Sequence, residues 1–208
     1  MLARAAACLC LLLGLAVTLP TIGFARTLTG PAASAAADAA ARHFASVQTL
    51  AADFDILTPS GVNKGKIFVD RALQAIRVEF APPLSHLVLV DGPKILFFGG
   101  DGTQVQTATS GTPFAFLMDP EKALAESVDV LQVVVKDSGL TLALAERGKK
   151  QDGQIVLNFT ASGAWRLMEW GMFGKDGSFS QTKLRNVRTG TALDSALFKA
   201  PASDRPTE

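Results

Sequence analysis

Residues 65–92, GKIFVDRALQAIRVEFAPPLSHLVLVDG, constrain the fold more than any other part of the sequence. This stretch predicts three consecutive strands at about residues 65–71, 75–81 and 86–91, with Pro82-Pro83 and Asp91-Gly92 as the breaks. Connections this short join antiparallel neighbours, so the stretch predicts a sheet that grows strand by strand.

The first of these strands sorts its side chains in an informative way. Gly65, Ile67, Val69 and Arg71 share one face, because a strand has a period of two. The opposite face carries two charges, so the apolar row is expected to point inward, with Arg71 at its end. A buried guanidinium needs a partner. A nearby carboxylate such as Glu79 is one candidate. The residues alone leave a different partner for Arg71 equally open.

The first 25 residues have the features of a secretory signal peptide. Arg4 precedes an apolar run over residues 5–19, and Gly23-Phe24-Ala25 matches the small-x-Ala pattern of a cleavage site. We expect removal of residues 1–25 and a single soluble domain over residues 26–208. The apolar run is too short for a comfortable membrane span.

Both cysteines, Cys8 and Cys10, lie in this leader, so no disulfide is predicted in the exported chain. Removal of Arg4 leaves 19 basic and 19 acidic residues. A neutral chain without basic clusters lacks the electrostatic signature of nucleic-acid binding, and no nucleic-acid partner is expected.

The rest of the chain predicts strands in simple succession with a few helices. An alanine-rich helix is expected over about residues 34–49, with Ser34 as its N-cap. Alternating or apolar segments separated by turn residues then bring the total to about eleven strands. The predicted fold class is therefore α+β and mainly β, an antiparallel meander that curls into a barrel or half-barrel.

Residues 112–125 interrupt this β pattern. Thr112 before Pro113, and Asp119 before Pro120, each predict the start of a short helix. In the first helix Phe114, Leu117 and Met118 share one face. Two interpretations are open: these residues are ordinary core, or the two helices form a lid over the sheet.

The sequence offers little material for catalysis. Only two histidines occur, His43 and His86, and neither lies near a cysteine. No phosphate-binding loop, dinucleotide motif or nucleophile elbow follows a predicted strand. We therefore expect no enzyme activity, no metal site and no cofactor.

Several short motifs together carry a family resemblance. In order they are Ala-Asp-Phe near residue 53, Gly65 followed six residues later by Arg71, IRVEF at 76–80, LVLVDG at 87–92 and TPF at 112–114. Combined with the ending Leu197-Phe198-x2-Pro201, this order resembles the outer-membrane lipoprotein carrier family, LolA, over nearly the whole mature chain.

The resemblance implies an open, curled half-barrel of about eleven antiparallel strands with helices on its concave face. It implies a monomeric periplasmic chaperone, exported in a Gram-negative cell, that shuttles lipoproteins from the inner to the outer membrane. The implied partners are lipoprotein acyl chains, an inner-membrane ABC transporter as donor and an outer-membrane receptor as acceptor. Arg71 matches the family arginine that holds the lid helices against the barrel, and its implied partners are helix-end carbonyls of the lid.

An acyl-chain groove is then expected on the inward face of the sheet and lid. The residues expected to line it are Ile67, Val69, Val78, Leu87, Leu89, Phe97, Phe114, Leu117 and Met118. Leu87 and Leu89 are chosen over Val88 and Val90 on a strand that is apolar on both faces. Two alternative functions stay open: a carrier of another amphiphile such as a glycolipid, and a lipid-sensing regulatory module of the same fold.

Overall fold

A computed structural model describes residues 25–109, 112–160 and 165–201. One antiparallel sheet of twelve strands dominates it. The strands are β1 (Arg26–Leu28), β2 (Thr49–Thr58), β3 (Gly61–Asp70), β4 (Ala75–Phe80), β5 (Leu87–Asp91), β6 (Lys94–Phe98), β7 (Gln104–Ala108), β8 (Val128–Lys136), β9 (Gly139–Glu146), β10 (Gly153–Thr160), β11 (Arg166–Gly174) and β12 (Phe179–Thr189).

The helices of the described residues lie at the start of the chain, in the middle of the sheet sequence and at the end. They are α1 (Gly30–Ser46), α2 (Pro113–Met118), α3 (Pro120–Lys122), a π-helical turn (Ala123–Ser127) that continues α3, and a 3-10 helix (Ser195–Phe198). We call residues 113–127 the flap. No helix in these parts of the chain is both long and apolar enough to cross a bilayer.

The strand order is β1-β8-β9-β10-β11-β12-β2-β3-β4-β5-β6-β7. It consists of two meanders, β2 to β7 and β8 to β12, joined where β12 pairs with β2. The edge strands β1 and β7 do not pair with each other, so the curled sheet stays open. The predicted half-barrel and fold class are confirmed, and β1 is the strand beyond the eleven expected.

Helix α1 begins four residues earlier than the sequence predicted. Its N-cap is Thr29 rather than Ser34, and Pro31 occupies the first turn. Proline is well suited to that position because the first helical amides lack intrahelical acceptors. The helix buries Ala33, Ala37, Ala40, Ala41 and Phe44, and small side chains on this face allow the helix to approach the sheet closely.

The main core lies between the concave face of the sheet and the covering helices. It takes inward side chains from all of the central strands together with α1 and the flap. Among its members are Leu50, Phe54, Ile67, Val69, Ile76, Val78, Val90, Ile95, Phe116, Leu117, Leu142, Leu157 and Leu184. The inward row predicted for β3 is confirmed.

The choice of Leu87 and Leu89 as inward residues of β5 is wrong. Val78 faces the core and pairs directly with Val88, and directly paired residues point to the same side of a sheet. Val88 and Val90 therefore join the core, whereas Leu87 and Leu89 point to the convex face. Alternation carried no signal here, because the strand is apolar on both faces.

The convex face is covered locally by the C-terminal segment. The 3-10 helix packs on β4, and Arg77 donates from Nη1 to the carbonyl of Leu197 at 2.8 Å. Leu89, which pairs with Arg77, is buried although it points away from the core. The expected signal peptide, Ala25 apart, lies outside the described residues, and so do Cys8 and Cys10.

Candidate functional site

An apolar cavity of about 120 Å³ lies between the concave face of the sheet and helix α2. Five strands and the start of α2 contribute its walls. The lining residues are Phe54, Ile56, Ile67, Val78, Phe80, Pro113, Phe114, Trp170, Met172, Ser180 and Thr182. Larger hollows elsewhere on the surface carry charged residues such as Asp53, Lys66 and Arg188. The cavity under α2 is therefore the better candidate for an apolar ligand.

Gly65 shapes one wall of this cavity. A Cβ atom at Gly65 would collide with the backbone oxygen of Glu79 and with the ring of Phe54. The missing side chain lets the Phe54 ring lie over β3, where it meets Phe80 edge to face at a centroid distance of 5.3 Å. Both rings then line the cavity.

The expected groove residues divide into four groups in the structure. Ile67, Val78 and Phe114 line the cavity. Val69, Leu117 and Met118 belong to or pack against the same core without lining it. Leu87 and Leu89 point to the convex face, and Phe97 lies farther out, toward the β7 edge.

Phe97 and its neighbours form a second, open hollow of about 550 Å³ on the β5 to β7 wing. Phe97 pairs directly with Val88 and Val105, so its side chain lies on the concave side. Phe97 is 39% exposed and Val105 60% exposed. The concave surface therefore continues beyond the helix-covered cavity as an apolar strip that meets solvent.

Sequence reasoning missed the contribution of β11 and β12 to the cavity. Trp170 pairs with Thr182, and Met172 pairs with Ser180, which brings all four side chains to the concave face. The alternation of Ser180, Thr182 and Leu184 with charged or amide residues was the available signal. This alternation indicates which side chains of β12 point inward. It does not show which strands lie beside β12, and that pairing is what brings these side chains to the cavity.

Arg71 follows β3 and turns its guanidinium inward, as its strand position predicted. Nη1 donates to the carbonyl of Val47, the C-cap residue of α1. The implied lid carbonyl is therefore wrong as the acceptor of this bond, because the helix end within reach of Arg71 Nη1 is that of α1 and not that of α2 or α3. The guanidinium carbon lies 4.4 Å from the centre of the Phe44 ring, a cation-π distance. Glu79 is not its partner, since that carboxylate accepts from Arg77 Nε at 2.6 Å on the convex face.

The remaining donors of Arg71 are poorly satisfied. Nε and Nη2 are buried and have no hydrogen-bond partner in the described part of the chain. Burial lowers the pKa of the guanidinium to about 10, and the nearby carboxylate of Asp119 opposes this shift. Asp119 lies at the junction of α2 and α3, so its charge attracts the flap toward Arg71.

An aromatic cluster holds α2 against the core beside Arg71. Phe116 of α2 stacks with Phe44 of α1 at 6.0 Å and meets Phe159 of β10 at 6.5 Å. Phe116 is buried, whereas Phe114, two residues earlier, is only partly buried and lines the cavity. The two phenylalanines of α2 therefore have different roles.

The described residues contain no group of three or more His, Cys, Asp and Glu side chains placed to hold a metal ion. His43 lies in the last turn of α1. His86 stacks edge to face against Phe80 at 6.4 Å. His86 thus has an aromatic packing neighbour.

An open antiparallel sheet curled around a helix-covered apolar cavity defines a half-barrel protein with an apolar interior. The family model of the outer membrane lipoprotein carrier protein LolA matches residues 45–201. The chain belongs to this family, as the resemblance indicated. The match covers every cavity residue named above.

Solved structures show the same fold at low sequence identity. An uncharacterized conserved protein from Thermus thermophilus has a TM-score of 0.52 and 11% identity, covering 82% of this chain and 95% of that chain. This likeness supports the fold alone. A search of curated protein sequences found no significant match.

Two further solved structures, with lower TM-scores, come from proteins whose names are known. A chain of the Pseudomonas aeruginosa MucA/MucB complex has a TM-score of 0.49 and 13% identity, covering 83% of this chain and 62% of that chain. A domain described as a putative outer membrane lipoprotein-sorting protein from Vibrio parahaemolyticus has a TM-score of 0.45 and 9% identity, covering 78% and 95% of the two chains.

Proposed function

We propose that this protein is a periplasmic carrier that shelters the acyl chains of lipoproteins during their transfer from the inner to the outer membrane. Membership of the LolA family supports this proposal. The observation that carries it is the apolar cavity between the concave sheet and α2.

The physical need for such a cavity follows from the cost of hydrating an acyl chain. Each methylene exposed to water costs about 0.8 kcal/mol, so an acyl chain does not leave a membrane readily without a new apolar environment. Residues 54, 67, 78, 114 and 170 offer side chains that can replace the membrane interior.

The cavity must enlarge to accept an acyl chain. Its volume of about 120 Å³ is below the roughly 300–1,000 Å³ of pockets that enclose small-molecule ligands. Outward movement of α2 would open the roof formed by Pro113 and Phe114, and would join the cavity to the strip around Phe97 and Val105. Acyl chains would then lie along this continuous concave surface.

Arg71 is proposed as the latch of this movement. It ties the end of α1 through Val47 and attracts the flap junction through Asp119. Its buried Nε and Nη2, which have no partner within residues 25–109, 112–160 and 165–201, make the closed arrangement costly to hold. The latch can therefore yield to acyl chains, and it limits how tightly they are bound.

The remaining parts of the proposal follow from the family. The chain over residues 26–208 is exported as a single domain and acts as a monomer. An inner-membrane ABC transporter supplies the lipoprotein, and an outer-membrane receptor accepts it. No catalytic step is assigned to the carrier.

Displacement of an apolar fluorophore tests the proposal. Residues 26–208 are loaded with the fluorophore, and a synthetic diacylated or triacylated lipopeptide is added. We expect loss of fluorescence at micromolar lipopeptide, and no loss with the same peptide lacking acyl chains. Phe114→Ser should weaken displacement, and the exposed Lys183→Ser should leave it unchanged.

Two results would contradict lipoprotein transport. One is an intact fold that does not exchange the fluorophore for lipopeptide. The other is displacement by a glycolipid at much lower concentration than by lipopeptide, which would favour a carrier of another amphiphile.

A further inference from the structure

Arg147, directly after β9, binds the last turn of the flap. Nη1 donates to the carbonyl of Ala125 at 2.7 Å. Nη2 donates to the carbonyls of Leu124 at 3.1 Å and Val128 at 2.9 Å. One guanidinium thus satisfies three backbone carbonyls.

The backbone and a neighbouring carboxylate reinforce this contact. The amide of Arg147 donates to the carbonyl of Ser127 at 2.9 Å. Nε lies 3.7 Å from Asp129, which also lies 3.6 Å from Lys150 Nζ. Asp129 therefore holds the guanidinium in place from β8, the strand that follows the flap.

The arrangement suits the chemistry of a helix end. The last carbonyls of a helix lack intrahelical donors, and the negative end of the helix dipole attracts a cation. The π-helical turn at 123–127 ends here, so its carbonyls are among those that need external donors. The planar fork of arginine can bind several carbonyls at once, whereas lysine offers a single ammonium.

We propose that Arg147 is a positioning residue that fixes the C-terminal end of the flap, so that the flap opens as a hinge from its α2 end. This proposal rests on the proposed function, since it is acyl chains that would displace α2. It assigns the flap one fixed end, beside Arg147, and one releasable end, near Arg71. The fixed end keeps the flap over the cargo after the cavity has enlarged.

Hydrogen exchange of the free protein tests the fixed end without any cargo. Arg147→Gln removes the charge and most of the donors. We expect amide exchange over residues 119–128 to accelerate roughly tenfold, and exchange over α1 to stay unchanged. Arg147→Lys should restore part of the protection, because the charge at the helix end remains. The matched control is Arg188→Gln, an exposed arginine on β12.

The rate at which bound lipopeptide is released provides a second test of the anchor. A flap freed at its anchored end covers the acyl chains less well, so Arg147→Gln should release lipopeptide several times faster than the unmodified protein. Unchanged exchange over residues 119–128 would overturn the proposal, and so would equal acceleration throughout the sheet. Localised acceleration in a protein that binds no lipopeptide would leave the anchor standing and overturn the proposed function instead.

Discussion

The two ends of the flap are held in opposite ways. At the α2 end, the half-buried Arg71 makes one hydrogen bond, to the end of α1, and its buried Nε and Nη2 find no partner among the described residues. Its link to the flap is the charge of Asp119. At the π-helical end, Arg147 is 47% exposed and binds three flap or strand carbonyls. Arg71 is half-buried, with two buried nitrogens that lack partners in the described part of the chain, whereas Arg147 is exposed and well paired.

The difference shows how one residue type can give a releasable contact or a permanent one. Burying a charge without full hydrogen bonding raises the free energy of the closed state. A partly solvated guanidinium that satisfies several helix-end carbonyls adds stability without a large desolvation cost. The α2 end is therefore the end that acyl chains can displace.

The largest effect on stability is expected at the aromatic cluster of the α2 end. Phe116→Ala should lower the free energy of unfolding by about 3–5 kcal/mol, because a buried ring between Phe44 and Phe159 is lost. Phe114→Ala should cost less than half as much and chiefly weaken lipopeptide binding. Urea denaturation and fluorophore displacement of both variants separate the packing role of Phe116 from the cavity-lining role of Phe114. Equal losses of stability in the two variants would contradict this division.

The next largest effect is expected on cargo retention. Arg71→Leu removes the latch and should slow lipopeptide release about tenfold, while the free energy of unfolding changes by less than about 1 kcal/mol. The control is Arg77→Leu on the convex face, which frees Glu79 and the Leu197 carbonyl. It should lower stability and leave release unchanged. A destabilised Arg71→Leu protein with normal release would rule out the latch.

The Arg71→Leu effect should not depend on pH in the physiological range. Burial lowers the pKa of Arg71 to about 10, so the group stays charged in both folded and unfolded chains at neutral pH. Only above about pH 10 would the folded state lose its proton first, and the wild-type protein then gains stability relative to the variant. Release rates measured at pH 6 and pH 8 should therefore show the same ratio.

The smallest effect is expected at the flap junction. Asp119 accepts a hydrogen bond from the amide of Lys122 at 3.0 Å. Its negative charge also raises the pKa of Arg71, against the effect of burial. Asp119→Asn keeps a capping side chain but removes the charge, so release should slow only about twofold. Asp119→Ala would also lose the cap, and calorimetry should show a lower melting temperature for that variant alone.

Local sequence signals predicted much of the fold. Proline after Thr112 and after Asp119 correctly predicted both short helices, and the alternation in β3 correctly turned Arg71 inward. The same signals failed where the local sequence supported two opposite orientations of a strand equally well. Residues 87–90 are apolar on both faces, and only pairing with β4 places Val88 and Val90 in the core.

The site was less predictable, because it depends on contacts between distant segments. Trp170 and Met172 reach the cavity only because β11 lies beside β12, and β12 beside β2. The acceptor of Arg71, the Val47 carbonyl, depends on where α1 ends. Arg147 gave no sequence signal at all, since an arginine after a strand resembles any exposed turn residue.

Distances measured by pulsed electron paramagnetic resonance test most directly the central claim, that the flap opens from its α2 end. No cysteine occurs after residue 25, so pairs of introduced cysteines can be spin-labelled specifically. One pair joins Ala115→Cys in α2 to Lys183→Cys on β12, and the other joins Glu126→Cys in the π-helical turn to the same site. With saturating lipopeptide we predict a longer first distance and an unchanged second distance. Bound lipopeptide with both distances unchanged, or with both equally lengthened, would contradict a flap that opens from the α2 end.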